Sequence, residues 1–447
     1  MSFRDVNLGF AVRALRHRNY ALFFSGQLVS LIGLWLSATA TSWLVYRIAK
    51  SQPDLGWSVE MMLGVVNFMG LIPIFLLAPI GGVLVERWDR RNVLFVTQTL
   101  SMLQSFALAW LVFADLITIP QIMALNFLQG IVHAIDIPAR QALVVQMVED
   151  PADLSNAIAL NSSMVHSARL LGPTAAGFLM KFVGVAYCFL IDGFSFLAVI
   201  IALGLMRLSA RVLPPRRGSF LHSLREGLAY AAGYTPIRAL LILVATVSLM
   251  AMSQSVLMPI YAQEVLGGNE ETLGYLLGAS GLGALLGSLY LATRRSVVGL
   301  GRVIAFGPVV LGATLAGFAF SHHLWLSIPL MVIAGAAMLT TIASANTVLQ
   351  TIVEDGQRAR VMSLFTVAFM GMAPFGSLLA GSVATVVGVQ WTLLIAGAAC
   401  ACGGLFFARQ LRVIRPLLRI VYRSKGIIGP VTVGIEAAAI QAEAAHD

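Results

Sequence analysis

Charge is scarce in this sequence. Asp, Glu, Lys and Arg make up only 11% of its 447 residues, against 58% hydrophobic. A water-soluble domain with that ratio would expose large apolar patches. In a bilayer the lipid-facing and core-facing surfaces are both apolar, so the ratio is expected there. Cysteine is scarcer still. Cys188, Cys400 and Cys402 are the whole set, an odd number lying in apolar segments, which argues against a disulfide framework and reads as packing. No Walker loop is present, so ATP is not a direct energy source. No His or Cys cluster has metal-ligand spacing. Neither a cofactor, a metal nor enzymatic activity is expected. A net charge of +9 can signal nucleic acid. Here the arginines sit in short clusters between apolar runs, so they read as topology signals and no nucleic-acid partner is expected. The first twenty residues are polar and basic and lack a small-residue cleavage site, which predicts no cleaved signal peptide.

What is present is a series of apolar runs. A membrane helix needs roughly 20 apolar residues. Twelve such stretches can be drawn, at 20–46, 60–85, 92–114, 119–140, 155–180, 185–206, 237–263, 272–293, 301–320, 324–348, 359–384 and 389–410. Short links such as Ser321-His322-His323 imply antiparallel neighbours. The fold class predicted is an all-α integral membrane protein with twelve transmembrane helices in two six-helix bundles.

Orientation follows from the arginines. If the N-terminus is cytoplasmic, only Arg47, Lys50 and Lys181 fall in external loops, and Arg140 and Arg169 lie at or inside helix ends. The remaining 24 of the 29 basic residues fall on the cytoplasmic side. The positive-inside rule selects this arrangement, with both termini cytoplasmic, in a bacterial inner membrane. The one long internal segment, 207–236, opens with helix-breaking Pro214, Pro215 and Gly218. Phe220, Leu224 and Leu228 then share one stripe of a short surface helix. The expected domains are therefore a bundle at 1–206, a linker at 207–236, a second bundle at 237–411 and a cytoplasmic tail at 412–447.

The halves repeat faintly. Gly82 and Gly287 are 205 residues apart, as are Val148-Glu149-Asp150 and Val353-Glu354-Asp355. A repeat of six spans in the same orientation puts the substrate path between the halves, near the midplane. In the tail, Arg412, Arg415, Arg419 and Arg423 recur at helical spacing beside Leu411, Leu418 and Val421. Such a stripe suits anionic lipid headgroups or ordinary anchoring at the inner face.

Three segments carry motif-like chemistry. After the second span comes Gly82-Val83-Leu84-Val85-Glu86-Arg87-Trp88-Asp89-Arg90-Arg91. It resembles the signature loop of the major facilitator superfamily, Gly-x-x-x-Asp-Arg-x-Gly-Arg-Arg/Lys, with Glu86 for the usual Asp and Asp89 for the usual Gly. The resemblance implies a gate. The glycine permits close helix approach, the acid pairs with a helix of the other half, and the arginines hold the link at the inner surface. In the fifth span, Ala168-Arg169-Leu170-Leu171-Gly172-Pro173-Thr174-Ala175-Ala176-Gly177 is similar to an element associated with exporters of that superfamily. Gly172 and Gly177 would permit close packing and Pro173 a bend. The stretches DIPARQALVVQMV, NAIALNSSMVHSARLLGP and RARVMSL resemble the bacterial branch containing enterobactin-exporter-like and macrolide-efflux-like proteins. The likeness covers nearly all of 13–410. One departure is Asn126, four residues before Gly130, where drug exporters of the superfamily often carry an arginine.

Polar groups inside the spans are the site candidates. Asp136 and Arg140 are four apart on one helix face and can pair. Asp192 has no basic residue within a turn, which makes it the stronger proton-binding candidate. His166 and Arg169 could line the cavity or partner Asp136. Gln27, Asn126, Gln129 and His133 could contact substrate or act as interhelical glue. The function expected is proton-coupled export of a small amphipathic or siderophore-like molecule by alternating access. The partners are then that small molecule, protons and membrane lipid. Two alternatives remain at this point: movement of a lysophospholipid by the same fold, and a non-transporting membrane sensor or assembly factor.

Overall fold

The computed structural model describes residues 13–52, 56–148, 150–207, 228–294 and 296–427. For a few positions inside helices, including Gly82, Glu86 and Arg87, only the backbone is described. The described chain forms twelve long helices. In the first half these are α1 (Arg18–Ser51), α2 (Val59–Arg87), α3 (Arg90–Phe113), α4 (Ile119–Met147), α5 (Leu154–Phe182) and α6 (Val185–Leu205). The second half holds α7 (Thr235–Ile260), α8 (Glu270–Ala292), α9 (Leu300–Ala319), α10 (Leu324–Ile352), α11 and α12 (Val389–Ser424). α7 continues through a π-helical turn, Tyr261–Val265. α11 is made of Asp355–Thr366, a π-helical turn Val367–Gly371 and Met372–Val387.

Eleven of the described helices are long and apolar enough to cross a membrane. α5 matches them in length but carries Asn156, Asn161, Ser162, Ser163, His166 and Arg169. Its polarity is tolerable only where it faces protein or a water-filled space. The twelve apolar runs correspond one to one to the helices, several of which extend further at one end or both. α12 is the clearest case, running unbroken from Val389 through the arginine stripe to Ser424. α5 also passes through Pro173 as one continuous helix. The surface helix expected around 220–228 falls mostly outside the described residues. Leu228 opens a short helix at 228–233 and is exposed.

The helices pack as two bundles, α1–α6 and α7–α12. α1 packs on α5 and α6, α2 on α4 and α3 on α6; in the second bundle α8 packs on α10, and α9 on α10 and α12. The bundles meet along two seams, α5 against α8 and α2 against α11.

One end of the molecule carries the links rich in arginine, the other those poor in it. At the arginine-poor end one continuous hydrophobic core crosses both bundles. It joins Leu44 and Leu63 of the first to Leu257, Leu273 and Ala380 of the second. At the arginine-rich end each bundle has its own separate core, one around Tyr20, Leu94 and Leu203, the other around Leu240, Ile304 and Phe407. The bundles are therefore joined at one end and parted at the other.

Small residues make the joined end possible. A Cβ built on Gly177 of α5 would lie 3.1 Å from Cα of Gly274 on α8, and one built on Gly64 of α2 would lie 3.1 Å from Cα of Gly381 on α11. Only glycine lets two helix backbones approach this closely. Polar clamps close the same end. Lys50 reaches Glu264 at 3.0 Å, Lys181 reaches Glu271 at 2.9 Å, and the Ser58 and Thr385 hydroxyls are 2.6 Å apart.

At the arginine-rich end the first bundle is tied to itself. Arg13 and His17 both reach Asp153, at 2.6 and 3.0 Å, and the Tyr20 hydroxyl donates to the carbonyl of Ala157 at 2.7 Å.

Candidate functional site

The first bundle frames a half-open cavity of about 180 Å³ between α1, α2, α3, α4 and α6. Its polar wall includes Ser37, Thr41, Asn67, Gln104, Asn126, Gln129, His133 and Asp192. Four of the sequence candidates thus come together here: Asn126, Gln129, His133 and Asp192. Gln27, His166 and Arg169 lie elsewhere. The sequence reading did not pick out Ser37, Thr41, Asn67 or Gln104. Each is uncharged and inconspicuous alone, and only their convergence from separate helices marks them.

Asp192 is 2% exposed. Ser105 of α3 donates to its Oδ2 at 2.7 Å. Its other carboxyl oxygen has no hydrogen-bonding partner within bonding geometry, although Ser37 of α1 faces the group. No basic side chain pairs with it among the described residues. A cavity of this size and polarity has room for several water molecules, since a water takes roughly 30 Å³.

α3 supplies a buried row of hydrogen-bonding side chains one turn apart: Thr97 and Gln98, Ser101, then Gln104 and Ser105. The row begins at Asp136, which is 1% exposed. Thr97 and Gln98 donate to its Oδ1 at 2.9 and 2.8 Å, and Arg140 forms an ion pair with its Oδ2. The row continues through Gln129, which donates to Ser101 at 3.0 Å and lies 2.9 Å from His133. It ends at Ser105 and Asp192. Gln98 and Gln129 each keep one buried amide oxygen without a protein partner. Asp136 thus finds its partner in Arg140, and neither His166 nor Arg169 reaches it.

Arg169 lies near the midpoint of α5 with its guanidinium 5.5 Å from the ring centre of Trp35 on α1. His166, less than a turn away, has a buried Nδ1 without a partner. Gln27 is 1% exposed and its amide oxygen is also unpartnered. Gly172 packs on Trp35 of α1, while the Pro173 carbonyl and Gly177 meet Gly274 of α8, so the exporter-like element faces α1 on one side and the α8 seam on the other.

In the signature-like loop, Asp89 caps α3 by accepting from the backbone N–H of Asn92 at 2.9 Å. An acid at a helix start is favoured by the helix dipole. Arg90 and Arg91 donate to the carbonyls of Ala142 and Gly204, at 3.4 and 2.9 Å, both inside the first bundle. The side chains of Gly82, Glu86 and Arg87 lie outside the described residues.

A second hollow, of about 560 Å³, lies at the arginine-rich end of the other bundle between Tyr230, Tyr234, Ile352, Glu354 and Lys425. Burial pushes the Tyr230 hydroxyl above its ordinary pKa, and the nearby Glu354 carboxylate adds to this. Among the described residues no group of three or more His, Cys, Asp and Glu is placed to hold a metal.

A family model described as transmembrane secretion effector matches residues 10–416. The staphyloferrin A transporter of Staphylococcus aureus is 25% identical over 382 residues, 85% of this chain and 93% of its own. The multidrug efflux pump Tap of Mycolicibacterium fortuitum is 26% identical, covering 81% and 88% respectively. Macrolide efflux protein A of Streptococcus pyogenes is 21% identical, covering 87% and 95%. Among solved structures, a bacterial homologue of the human lysosomal transporter Spinster, in an inward-facing and occupied conformation, aligns with a TM-score of 0.66 at 14% identity. That alignment covers 89% of this chain and 97% of the other, and it establishes the shared fold.

Proposed function

Because the chain belongs to the transmembrane secretion effector family of major facilitator transporters, we propose that it is a proton-coupled exporter of a small amphipathic or siderophore-like molecule. It would sit in the bacterial inner membrane with both termini in the cytoplasm. Relatives that export drugs and one that moves a siderophore support the direction and the substrate class. With the arginine-rich end cytoplasmic, the parted bundles leave the central path open to the cytoplasm, the state in which an exporter loads. Rocking about the midplane would then bring the arginine-rich ends together and separate the glycine seams.

One observation carries the coupling. Asp192 is a buried carboxyl on the wall of a polar cavity, held by a serine and, among the described residues, paired with no cation. An intramembrane acid so placed is costly and is characteristic of ion and proton paths. Asp136, locked to Arg140, has a structural or gating role instead. Asp89, Arg90 and Arg91 fix the loop at 82–91 to the first bundle, where Gly82, Glu86 and Arg87 would act as the cytoplasmic gate. Gly172, Pro173 and Gly177 shape the opposite closure.

The experiment is transport by purified protein in proteoliposomes. The substrate comes from a thermal-shift screen, because a ligand bound to the folded state raises the melting point. Accumulation should require an imposed proton gradient and stop with a protonophore. Undiminished accumulation after the gradient is collapsed would refute the coupling.

A further inference from the structure

From the surroundings of Arg169, we infer that the transported molecule carries an anionic oxyacid group, a carboxylate, and that Arg169 binds it. This rests on the exporter reading above for the identity of the bound molecule as cargo.

Position is the first argument. Arg169 stands where the α5–α8 seam ends. A Cβ on Gly281 of α8 would lie 2.5 Å from the Arg169 carbonyl oxygen, so backbone packing is tight there. Toward the arginine-rich end, Ile158, Ser162 and Ser163 of α5 and Leu282 and Leu286 of α8 are exposed. Arg169 is therefore part-buried near the midpoint of α5, beside the point where α5 and α8 pack backbone to backbone, with its guanidinium over Trp35.

Charge is the second argument. Among the described residues Arg169 makes no ion pair and no side-chain hydrogen bond, and its guanidinium lies over the Trp35 face. Three other cations in or at the ends of described spans pair with carboxylates: Arg140 with Asp136, Lys181 with Glu271 and Lys50 with Glu264. Asp192 is engaged with Ser105 across the bundle. A cation in the apolar layer is retained when it pairs or faces a polar path. Stacking on an indole offsets part of the cost and leaves the edge of the guanidinium fork, with its N–H donors, free. That fork matches a carboxylate with two parallel hydrogen bonds. His166, three residues earlier on α5, keeps a buried Nδ1 without a partner.

The test is binding in detergent by the full-length protein, which needs neither a gradient nor translocation. It can therefore fail independently of proton coupling. The probes are 2-naphthoate and the uncharged 2-naphthamide, followed by isothermal titration. Naphthoate should bind about tenfold tighter or more, the scale of a hydrogen bond to a charged group. Arg169→Gln should abolish the preference, and Arg169→Lys should keep part of it, since a point charge lacks the fork. If Arg169→Gln does not yield folded protein, Arg169→Lys alone must reduce the preference. Equal binding of the two probes, no naphthoate binding up to about 10 mM, or an unchanged preference in the variants would overturn the inference. Complete displacement of naphthoate by equimolar lysophosphatidylglycerol would assign the site to a lipid phosphate and overturn the carboxylate.

Discussion

Gly177 on α5 and Gly274 on α8 face each other so closely that neither has room for a side chain. A Cβ on Gly274 would come within 2.8 Å of the Pro173 carbonyl oxygen and 3.0 Å of the Gly177 Cα. Gly64 and Gly381 repeat the arrangement on the α2–α11 seam. Overpacking of such a contact costs about 1–3 kcal/mol. That is enough to shift a two-state equilibrium by roughly 5- to 150-fold. Gly177→Val should therefore open the arginine-poor end and cut transport while each bundle stays folded. Spin labels at Phe182 and Gly268 should report a longer distance in the variant than in the parent protein.

The ion pairs at the same end should matter less. Lys50–Glu264 and Lys181–Glu271 are partly exposed, and such pairs contribute about 0.2–1 kcal/mol each. Lys50→Gln with Lys181→Gln should change the same spin-label distance distribution only slightly. A shift as large as that of Gly177→Val would mean that charge, rather than close packing, holds the closure.

Asp136 and Arg140 should behave as a coupled pair. Removing one partner of a buried pair leaves an uncompensated charge and costs about 3–5 kcal/mol. Arg140→Gln alone should lower the melting temperature and the folded yield. Asp136→Asn combined with Arg140→Gln should recover much of the loss. Additive losses in the double variant would show that the two side chains act separately.

Topology is testable by single cysteines in a background lacking Cys188, Cys400 and Cys402. A cysteine at Gly268 should label from outside intact cells with an impermeant maleimide, and one at Gly356 should not. The reverse pattern would invert the membrane orientation and the direction of export with it.

Much of the fold was legible in the sequence because most spans are apolar runs bounded by polar, glycine or proline residues, and α-helix is the only open-ended structure a bilayer accepts. Helix ends were less legible. The Arg412–Arg423 stripe reads as a separate tail, yet arginine is a good helix former and α12 simply continues through it. The Asp136–Arg140 pair could be read from spacing alone, since both residues lie on one helix. The partners of Asp136 on α3 could not, because Thr97 and Gln98 meet it only after two helices pack. The Gly64–Gly381 contact was hidden for the same reason: glycine is frequent in spans, and nothing local says which glycines will face each other. Trp35 beneath Arg169 is likewise a relation between distant segments.

The central claim is that Asp192 carries the coupling proton, and Asp192→Asn in proteoliposomes tests it most directly. The substitution preserves shape and removes the titrating group. Substrate accumulation driven by a pH gradient should be lost between about pH 5.5 and 8.5, a window around neutrality, while downhill substrate exchange persists. Gradient-driven accumulation equal to that of the parent protein across the same range would contradict the account and leave Asp192 as a packing residue of α6.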